Sequence, residues 1–352
     1  MQKKLKKRKC KNKSIIFAIE STELHVIDKM KERNIGIDII KCVAALLITN
    51  AHMGILYGKY SFLATGGSIG DAMFFFCSGF TLFLKPMTGI KQFPNWYKQR
   101  INRIYPTVFA VAIIACTFFN SHRTINEIIL CRGRWFVPCI MLHYIGIHFI
   151  GSYLKDKIKI VMAVILIATG VWFGFIFDVP HFTLYGEFKI RWLFYFAFML
   201  FGAKLGATQH QIESKPKKDF IMLVVCFSAF YGIFISTIRI NGIKILQYFS
   251  LFPLFGIIYY FYKVCNGKTL TKLYNNKVGN FIIRFIGGLC LEMYLVRYYL
   301  VTDKMNNIFP LNIIIMILFI IVVAYLTRCL ARTISQTFKD NPYNWKKVFE
   351  LN

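Results

Sequence analysis

Two ionisable residues, Lys41 and His52, interrupt the apolar segment 34–57, NIGIDIIKCVAALLITNAHMGILY. An ionisable side chain in a membrane-spanning helix is costly unless it faces protein or water, so such a residue indicates a functional site. The spacing of eleven residues corresponds to roughly 1100° of helical rotation and a rise of about 16 Å. The segment therefore predicts one continuous helix with both side chains on one face. A cation suited to holding an anion would lie near one membrane surface, and an imidazole suited to acid–base or nucleophilic chemistry roughly halfway through or deeper.

A second basic pair, Arg100 and Arg103, lies in the segment FPNWYKQRINRIYP. Residues three apart on a helix share a face, so the two guanidinium groups should converge. Convergent arginines suit a polyanion such as a nucleotide or a pyrophosphate, and Lys41 at the same membrane face would add a third cation. The alternative is that the pair only anchors the chain at the membrane surface.

The elements that must position these residues are helices that cross a membrane. The chain has 352 residues, of which 56% are hydrophobic, and its apolar runs approach 20 residues in length. Backbone groups in lipid must be satisfied within their own segment, and the sequence lacks the alternation of a membrane barrel. We predict an all-α polytopic membrane protein with about ten transmembrane helices in one compact bundle. The predicted spans are 35–57, 67–84, 104–120, 135–152, 159–177, 190–208, 219–238, 246–264, 281–301 and 310–331.

The formal net charge of +28 could suggest nucleic-acid binding in a soluble protein. Here the basic residues concentrate in alternate short connections, where they orient the spans and contact membrane lipids, so we expect no nucleic-acid partner. Their distribution predicts a multi-pass membrane protein with both termini in the cytoplasm. The connection 120–134 is the partial exception, because it carries three arginines on the outer side.

We divide the chain into a basic cytoplasmic tail (1–33), a transmembrane domain (34–332) and a cytoplasmic carboxyl-terminal tail (333–352). The ten cysteines are scattered and lack the spacing of a metal site, so we expect reduced thiols and no metal. Span two, SIGDAMFFFCSGFTLFL, contains Ser78 and Gly79, whose small size favours close helix packing. Asp71, near the outer end of this span, is interpreted as solvated.

Five stretches taken together resemble the membrane-bound acyltransferase-3 family. They are GIDIIKCVAALLITNAH, FFFCSGF, YKQRINRIYP, the RWFV…Y stretch from Arg134 to Tyr144, and LEMYLVR. They occur in the family's order between about Arg33 and Arg332. The resemblance implies a ten-span enzyme of a bacterial cytoplasmic (inner) membrane that transfers acyl groups, usually acetyl, to sugars of bacterial surface glycans.

The resemblance also implies roles for individual residues. Lys41 and His52 match the family's basic residue and histidine, and Arg100 and Arg103 match its donor-binding Arg-x-x-Arg. The supporting positions in the resembling stretches are Asp38, Ser78, Gly79, Phe80, Arg134, Trp135, Tyr144, Glu292, Tyr294 and Arg297.

One position departs from the pattern, because Arg297 stands where the family's late motif usually has a second histidine. A proton role for that histidine therefore cannot be transferred to this chain. Glu292 and Arg297 instead suggest an internal ion pair within span nine.

The sequence thus predicts an O-acyltransferase that binds no permanent cofactor. Its co-substrate is expected to be an acyl-CoA, namely acetyl-CoA. The acceptor would be a hydroxyl of a cell-surface polysaccharide or of a lipid-linked sugar precursor, which gives the protein a part in polysaccharide O-acetylation at the cell envelope. His52 would act as general base or as transient acyl carrier, and both routes stay open.

The competing interpretations are a transporter or flippase for a lipid-linked glycan or anion, and a scaffold protein. The sequence has no inverted repeat and gives no sign of helices broken in matching positions, which weakens the transporter interpretation. A scaffold would have no reason to keep ionisable residues on one face of a span. The sequence does not determine the acceptor, the acyl chain or the oligomeric state.

Overall fold

The structure is a computed structural model that describes residues 34–84, 89–121, 123–176, 183–186, 188–209, 212–338 and 342–351. The predicted basic tail, 1–33, lies outside these residues. The described residues form helices joined by short connections and contain no strand. Residues 36–352 form one compact unit, in agreement with the predicted all-α bundle.

The α-helices of the first half are α1 (Ile35–Ala51), α2 (Gly54–Tyr57), α3 (Gly67–Leu82), α4 (Phe93–Phe119), α5 (Ile125–Ile129), α6 (Phe136–Tyr153) and α7 (Ile158–Val171). Those of the second half are α8 (Phe188–Thr208), α9 (Pro216–Arg239), α10 (Leu251–Cys265), α11 (Lys268–Asn275), α12 (Lys277–Gly288), α13 (Cys290–Leu300), α14 (Leu311–Thr337) and α15 (Trp345–Val348). Short 3-10 segments extend several of them, for example Gly58–Leu63 after α2 and Asn241–Ser250 before α10.

Within the described residues, 7 helices are long and apolar enough to cross a membrane, and the number rises to 9 if each of two bent pairs is one span. The remaining predicted span, 67–84, corresponds to α3, which has 16 residues and is shorter than the roughly 20 that cross a bilayer. Each predicted span therefore contains a helix, and the predicted count of about ten is approximate. The protein is a multi-pass membrane protein.

Two predicted spans are bent rather than straight. The first bends by 65° between α1 and the helical segment Gly54–Leu63, and the ninth bends by 66° between α12 and α13. The prediction of one continuous helix over 34–57 is therefore wrong. At the second bend the glycine pair Gly287–Gly288 precedes the break, and consecutive small residues are a common cause of helix kinks.

The most extensive helix contact joins α3 to α8. Glycines permit it: a Cβ atom on Gly79 would collide with the backbone of Met199, and one on Gly202 would collide with the backbone of Phe76. Gly206 continues the contact one turn further along, where a Cβ would lie 2.6 Å from the carbonyl oxygen of Phe80. The predicted close packing at Gly79 is confirmed, because side-chain-free positions let two backbones approach.

The lipid-facing surface is recognisable from exposed apolar side chains. On α7 these residues recur every three or four positions, as expected for one helical face, and they are Ile160, Val164, Ile167 and Val171. The helices that carry ionisable residues, α1 and α3, lie in the interior, where most of their side chains are buried.

Candidate functional site

His52 lies on the bend of the first span. Helix α1 ends at Ala51, and the backbone N–H groups of His52 and Met53 donate to the carbonyls of Thr49 and Asn50, at 3.2 and 3.0 Å. Met53 is fully buried, whereas His52 is exposed. The imidazole is thus carried by a helix end rather than by a helix interior, and it is accessible to a substrate.

Asn50 holds this bend in place. Its side-chain amide donates to the carbonyl oxygens of Leu63 and Thr65, at 2.9 and 3.1 Å, and its oxygen accepts from the Tyr57 hydroxyl at 2.5 Å. The buried Asn312 of α14 also donates to the carbonyl oxygen of Leu56, at 2.9 Å. These bonds satisfy backbone groups that the bend frees, so they stabilise the position of His52.

Helix α3 packs antiparallel against α1 through small residues. Cys77 contacts the carbonyl of Ile37 near the start of α1, with a sulfur–oxygen distance of 3.9 Å. At the other end, a Cβ on Gly67 would lie 2.9 Å from that of Ala51. Asp71 lies one turn from Gly67 on the same face of α3, which places its carboxylate near the end of α1 that carries His52.

Asp71 and His52 share two cationic neighbours. Asp71 is half-buried and accepts a hydrogen bond from Tyr195 of α8. Arg191 and Arg297 act electrostatically on both Asp71 and His52. We call these four ionisable residues, His52, Asp71, Arg191 and Arg297, the His52 cluster. Asp71 is therefore an internal residue, and the interpretation that it is solvated is wrong.

Aromatic rings orient the arginines of the His52 cluster. The Arg191 guanidinium lies 4.0 Å from the ring centre of Trp135, and that of Arg297 lies 4.3 Å from the ring centre of Tyr294. Arg297 also donates to the carbonyl oxygen of Tyr294, at 2.9 Å. Stacking on aromatic faces suits the planar guanidinium and leaves its N–H edge available for an anion.

Arg134, just before α6, is buried and donates to the Tyr299 hydroxyl at 2.5 Å. Burial lowers the pKa of its guanidinium, and Tyr299 opposes this effect. An arginine side chain remains protonated in proteins, so Arg134 adds a positive charge beside Trp135.

A second group of candidate residues lies toward the other end of α1. Lys41 is half-buried and packs against the first helix of the bent ninth span, where a Cβ on Gly287 would lie 3.4 Å from the Cβ of Lys41. Asp38, one turn earlier, is buried and accepts a hydrogen bond from the Tyr274 hydroxyl at 2.8 Å. Lys41 and Ala51 are ten residues apart in α1, which corresponds to about 15 Å.

Arg100 belongs to the same level of the bundle as Lys41. Its guanidinium lies 4.9 Å from the ring centre of Trp96, which contacts Tyr144 edge-on at 6.1 Å. The Ser78 hydroxyl bonds that of Tyr144 at 3.4 Å. Ser78 follows Cys77, which contacts Ile37 of α1. Ile37 lies one helical turn from Lys41, so the side chains of Lys41 and Arg100 lie at the same depth of the bundle.

Arg103 is exposed and acts electrostatically on Arg100 three residues earlier. The two arginines thus share a face of α4, as the spacing predicts. We call Lys41, Arg100 and Arg103 the basic cluster. Phe80, by contrast, is fully buried against Phe76 and Tyr262, so it supports packing rather than a ligand.

The predicted ion pair between Glu292 and Arg297 is wrong. Glu292 pairs with Arg328 of α14, with an oxygen–nitrogen distance of 3.4 Å, and accepts from the Thr107 hydroxyl at 3.4 Å. Five residues along a helix correspond to about 500°, so Glu292 and Arg297 face different sides of α13. Arg328 also donates to the carbonyl of Gly288 and thereby braces the second bend.

The remaining histidines do not assemble a further site in the described part of the chain. His143 is buried and bonds the carbonyl oxygen of Trp192 through Nε2, at 2.8 Å. No group of three His, Cys, Asp or Glu residues that could hold a metal occurs among the described residues.

Comparison with known protein families decides the class of this protein. The sequence model of the acyltransferase domain of the acyltransferase-3 family matches residues 34–329. The chain belongs to the acyltransferase-3 family. No curated protein and no solved structure matches it. The protein is a membrane acyltransferase, and the matched residues include both clusters.

Membership of the acyltransferase-3 family gives these clusters a context that the sequence analysis supplied only in part. The sequence motifs indicate His52, Lys41, Arg100 and Arg103 as site residues, but they do not indicate Asp71 and Arg191. The sequence does contain a signal for Asp71. It lies seven residues, or two helical turns, before the supporting residue Ser78, so both residues lie on one face of α3. Arg191 had no local signal, because its role depends on the contact between α8 and Trp135.

Proposed function

We propose that this acyltransferase moves an acetyl group from cytoplasmic acetyl-CoA to a hydroxyl of a cell-surface polysaccharide or of its lipid-linked precursor. It would reside in a bacterial cytoplasmic (inner) membrane with both termini in the cytoplasm. The single observation that carries the proposal is the arrangement along α1. A basic cluster suited to phosphates lies about 15 Å from an accessible histidine.

The basic cluster would hold the donor. Lys41, Arg100 and Arg103 would bind the phosphates of coenzyme A, with the half-buried Arg100 oriented by Trp96. The extended pantetheine arm would then run along α1 toward the bend, so that the thioester arrives near His52. Binding of the remote phosphates would contribute to positioning the reacting carbonyl, which is a large source of rate enhancement.

His52 would carry the chemistry. As general base, its imidazole takes the proton from the acceptor hydroxyl while the hydroxyl oxygen forms a bond to the thioester carbonyl carbon. Collapse of the intermediate breaks the carbon–sulfur bond, and the departing thiolate takes the proton from the imidazolium. Alternatively, the imidazole first accepts the acetyl group and then transfers it to the hydroxyl. A cationic side chain of the His52 cluster would stabilise the oxyanion in either route.

The test uses membranes that contain the full chain and acetyl-CoA labelled in its acetyl group. We expect label in the surface glycan fraction and, by mass spectrometry, glycans that are lighter by one acetyl group when the protein is absent. Transport of a glycan without any covalent change, or label that stays in acetyl-CoA, would contradict the proposal.

A further inference from the structure

Three arginines surround the first turn of α6. Arg134 precedes this helix in the chain, Arg191 comes from α8 and Arg297 from α13. We call these residues the arginine cluster. Arg191 and Arg297 also belong to the His52 cluster, so a ligand that contacts the arginine cluster would lie beside the candidate catalytic residue.

A continuous set of ring contacts links Arg191 to Arg297, and the third arginine of the cluster acts electrostatically on Arg297. Arg191 stacks on Trp135, whose ring centre lies 6.0 Å from that of Phe136. The ring centre of Phe136 lies 5.1 Å from that of Tyr294, on which Arg297 stacks. The guanidinium groups therefore converge on one rigid aromatic patch at the start of α6.

Within the part of the chain that the structure describes, the charges of the arginine cluster are only partly balanced. Asp71 acts electrostatically on Arg191 and Arg297, so three positive charges face one carboxylate among the described residues. The ion pairs within 4.0 Å that the described residues form join Arg132 to Glu127, Lys263 to Asp219 and Arg328 to Glu292. None of them includes the arginine cluster, and Glu292, on the same helix as Arg297, is already paired.

Burial makes this imbalance costly. Arg297 is 5% exposed and Arg134 is 8% exposed. The buried Nε atoms of Arg134 and Arg191 have no hydrogen-bond partner within the described residues. Buried cations and N–H groups without partners cost free energy, and an anionic ligand would recover it. The start of α6 adds the partial positive charge of a helix amino terminus.

We propose that the acceptor is an anionic sugar whose carboxylate or phosphate group is held by the arginine cluster, with the hydroxyl to be acylated beside His52. This inference rests on the proposed function and names its acceptor class. Guanidinium groups bind carboxylates and phosphates through paired N–H bonds. A neutral sugar would leave the cationic cluster unsatisfied, so the site would discriminate against it.

The proposal accounts for two features of the sequence. An arginine at position 297, where the resemblance leads one to expect histidine, supplies a permanent charge and a planar fork for an anion. Arg134 ends the connection that departs from the positive-inside pattern, and its burial against Tyr299 gives it a role other than orientation.

The arginine cluster is distinct from the proposed donor site. Asp71 and Ser78 mark the levels of the two clusters on α3, and their seven-residue separation corresponds to about 10 Å along the helix. Lys41, Arg100 and Arg103 lie at the Ser78 level. A sugar anion and the coenzyme A phosphates would therefore bind at different depths of the bundle.

The experiment measures binding to the purified full chain in lipid nanodiscs. The probes are glucuronate, glucose 6-phosphate and glucose at constant ionic strength, together with coenzyme A. We expect at least one anionic sugar to bind about tenfold or more tightly than glucose, and the preferred anion identifies the charged group. Arg297→Gln and Arg191→Gln should each weaken the binding of that anion by about tenfold or more, whereas coenzyme A should bind as in the wild type.

The controls separate this site from general charge effects. Arg239→Gln removes the same charge from the exposed end of α9 and should leave anion binding unchanged. Arg297→Lys keeps the charge without the fork and should lie between the wild type and Arg297→Gln. The comparison of the three sugars uses only the wild-type protein, so it tests the proposal even if a substitution prevents folding.

Several results would overturn the proposal. They are equal binding of glucose and both anions, absence of anion binding while coenzyme A still binds, and anion binding that the two glutamine variants do not change. If coenzyme A displaced the sugar anions and Arg100→Gln abolished their binding, the anions would bind at the donor site instead. Failure of the proposed function would appear differently, as a wild-type chain that neither binds coenzyme A nor transfers an acyl group.

Discussion

At the scale of single residues, the basic cluster determines how the donor binds. Lys41 and Arg100 are half-buried at one depth of the bundle, and Arg103 is exposed on the same face of α4 as Arg100. A half-buried cation is less screened by water than an exposed one, so its contact with a phosphate should be worth more. Arg100 is also fixed by its ring contact with Trp96.

We predict that Lys41→Ala, Arg100→Ala and Arg103→Ala each raise the KM for acetyl-CoA, with kcat less affected. The increase should be about tenfold for Lys41 and Arg100 and smaller for Arg103, since charge-assisted hydrogen bonds contribute roughly 1.5–3 kcal/mol and exposed ones less. Initial rates over a range of acetyl-CoA concentrations measure the effect.

The matched control is Lys59→Ala, which removes an exposed cation outside both clusters. An acetyl-CoA dependence that stays unchanged in all three variants would show that the basic cluster does not hold the donor.

At the scale of elements, glycines and buried ion pairs determine the geometry of the site. Helix α3 connects the two clusters and packs against α8 so closely that Gly79 and Gly202 cannot carry side chains. The bends in the first and ninth spans are held by polar side chains, Asn50 at one and Arg328 at the other.

We predict that Gly79→Ala destabilises the protein by more than about 3 kcal/mol, because the added Cβ collides with the Met199 backbone and overpacking costs about 1–3 kcal/mol even where side chains can adjust. The matched control is Gly232→Ala in α9, where a Cβ meets nothing within 4 Å, so stability should hold or rise. Thermal unfolding in one detergent compares both variants. Equal unfolding temperatures would contradict the close contact between α3 and α8.

We predict that Arg328→Gln destabilises the protein by about 3 kcal/mol, because it leaves Glu292 buried without its cation. In a double-mutant cycle, Glu292→Gln should couple to Arg328→Gln and add independently to Arg297→Gln. Coupling of Glu292 to Arg297 instead would restore the ion pair that the sequence suggested.

The sequence predicts which segments are helical and which residues are candidates, because hydrophobic runs and motif spacing are local. It does not predict the bend at His52, the arginines around Asp71 or the pairing of Glu292 with Arg328. Each of these depends on contacts between residues that are distant in sequence, such as Arg191 with Trp135 or Arg328 with Glu292. A helical wheel of span nine alone could have excluded the pair Glu292–Arg297, since the two residues face different sides.

At the scale of the whole molecule, the predicted orientation in the membrane would connect the two clusters to two compartments. The excess of basic residues in alternate connections predicts a cytoplasmic basic cluster and an outward-facing His52 cluster. Donor and acceptor would then approach from opposite sides and meet at the bend of the first span.

We predict that Asn126→Cys reacts with a membrane-impermeant maleimide in intact cells, whereas Lys268→Cys reacts only after permeabilisation. Both native residues are exposed, and they belong to connections on opposite predicted sides. The wild-type chain, which keeps its native cysteines, gives the background. The reverse labelling pattern would indicate the opposite orientation, with the arginine cluster on the cytoplasmic side.

The central claim is that His52 carries out acyl transfer, and His52→Ala tests it most directly. The measurement is kcat for transfer of labelled acetyl groups in membranes, with coenzyme A binding as the check that the variant is folded. We expect kcat to fall by about 10²-fold or more, as for loss of a general base or nucleophile, while coenzyme A binds as in the wild type. A folded His52→Ala protein with activity close to that of the wild type would contradict the account.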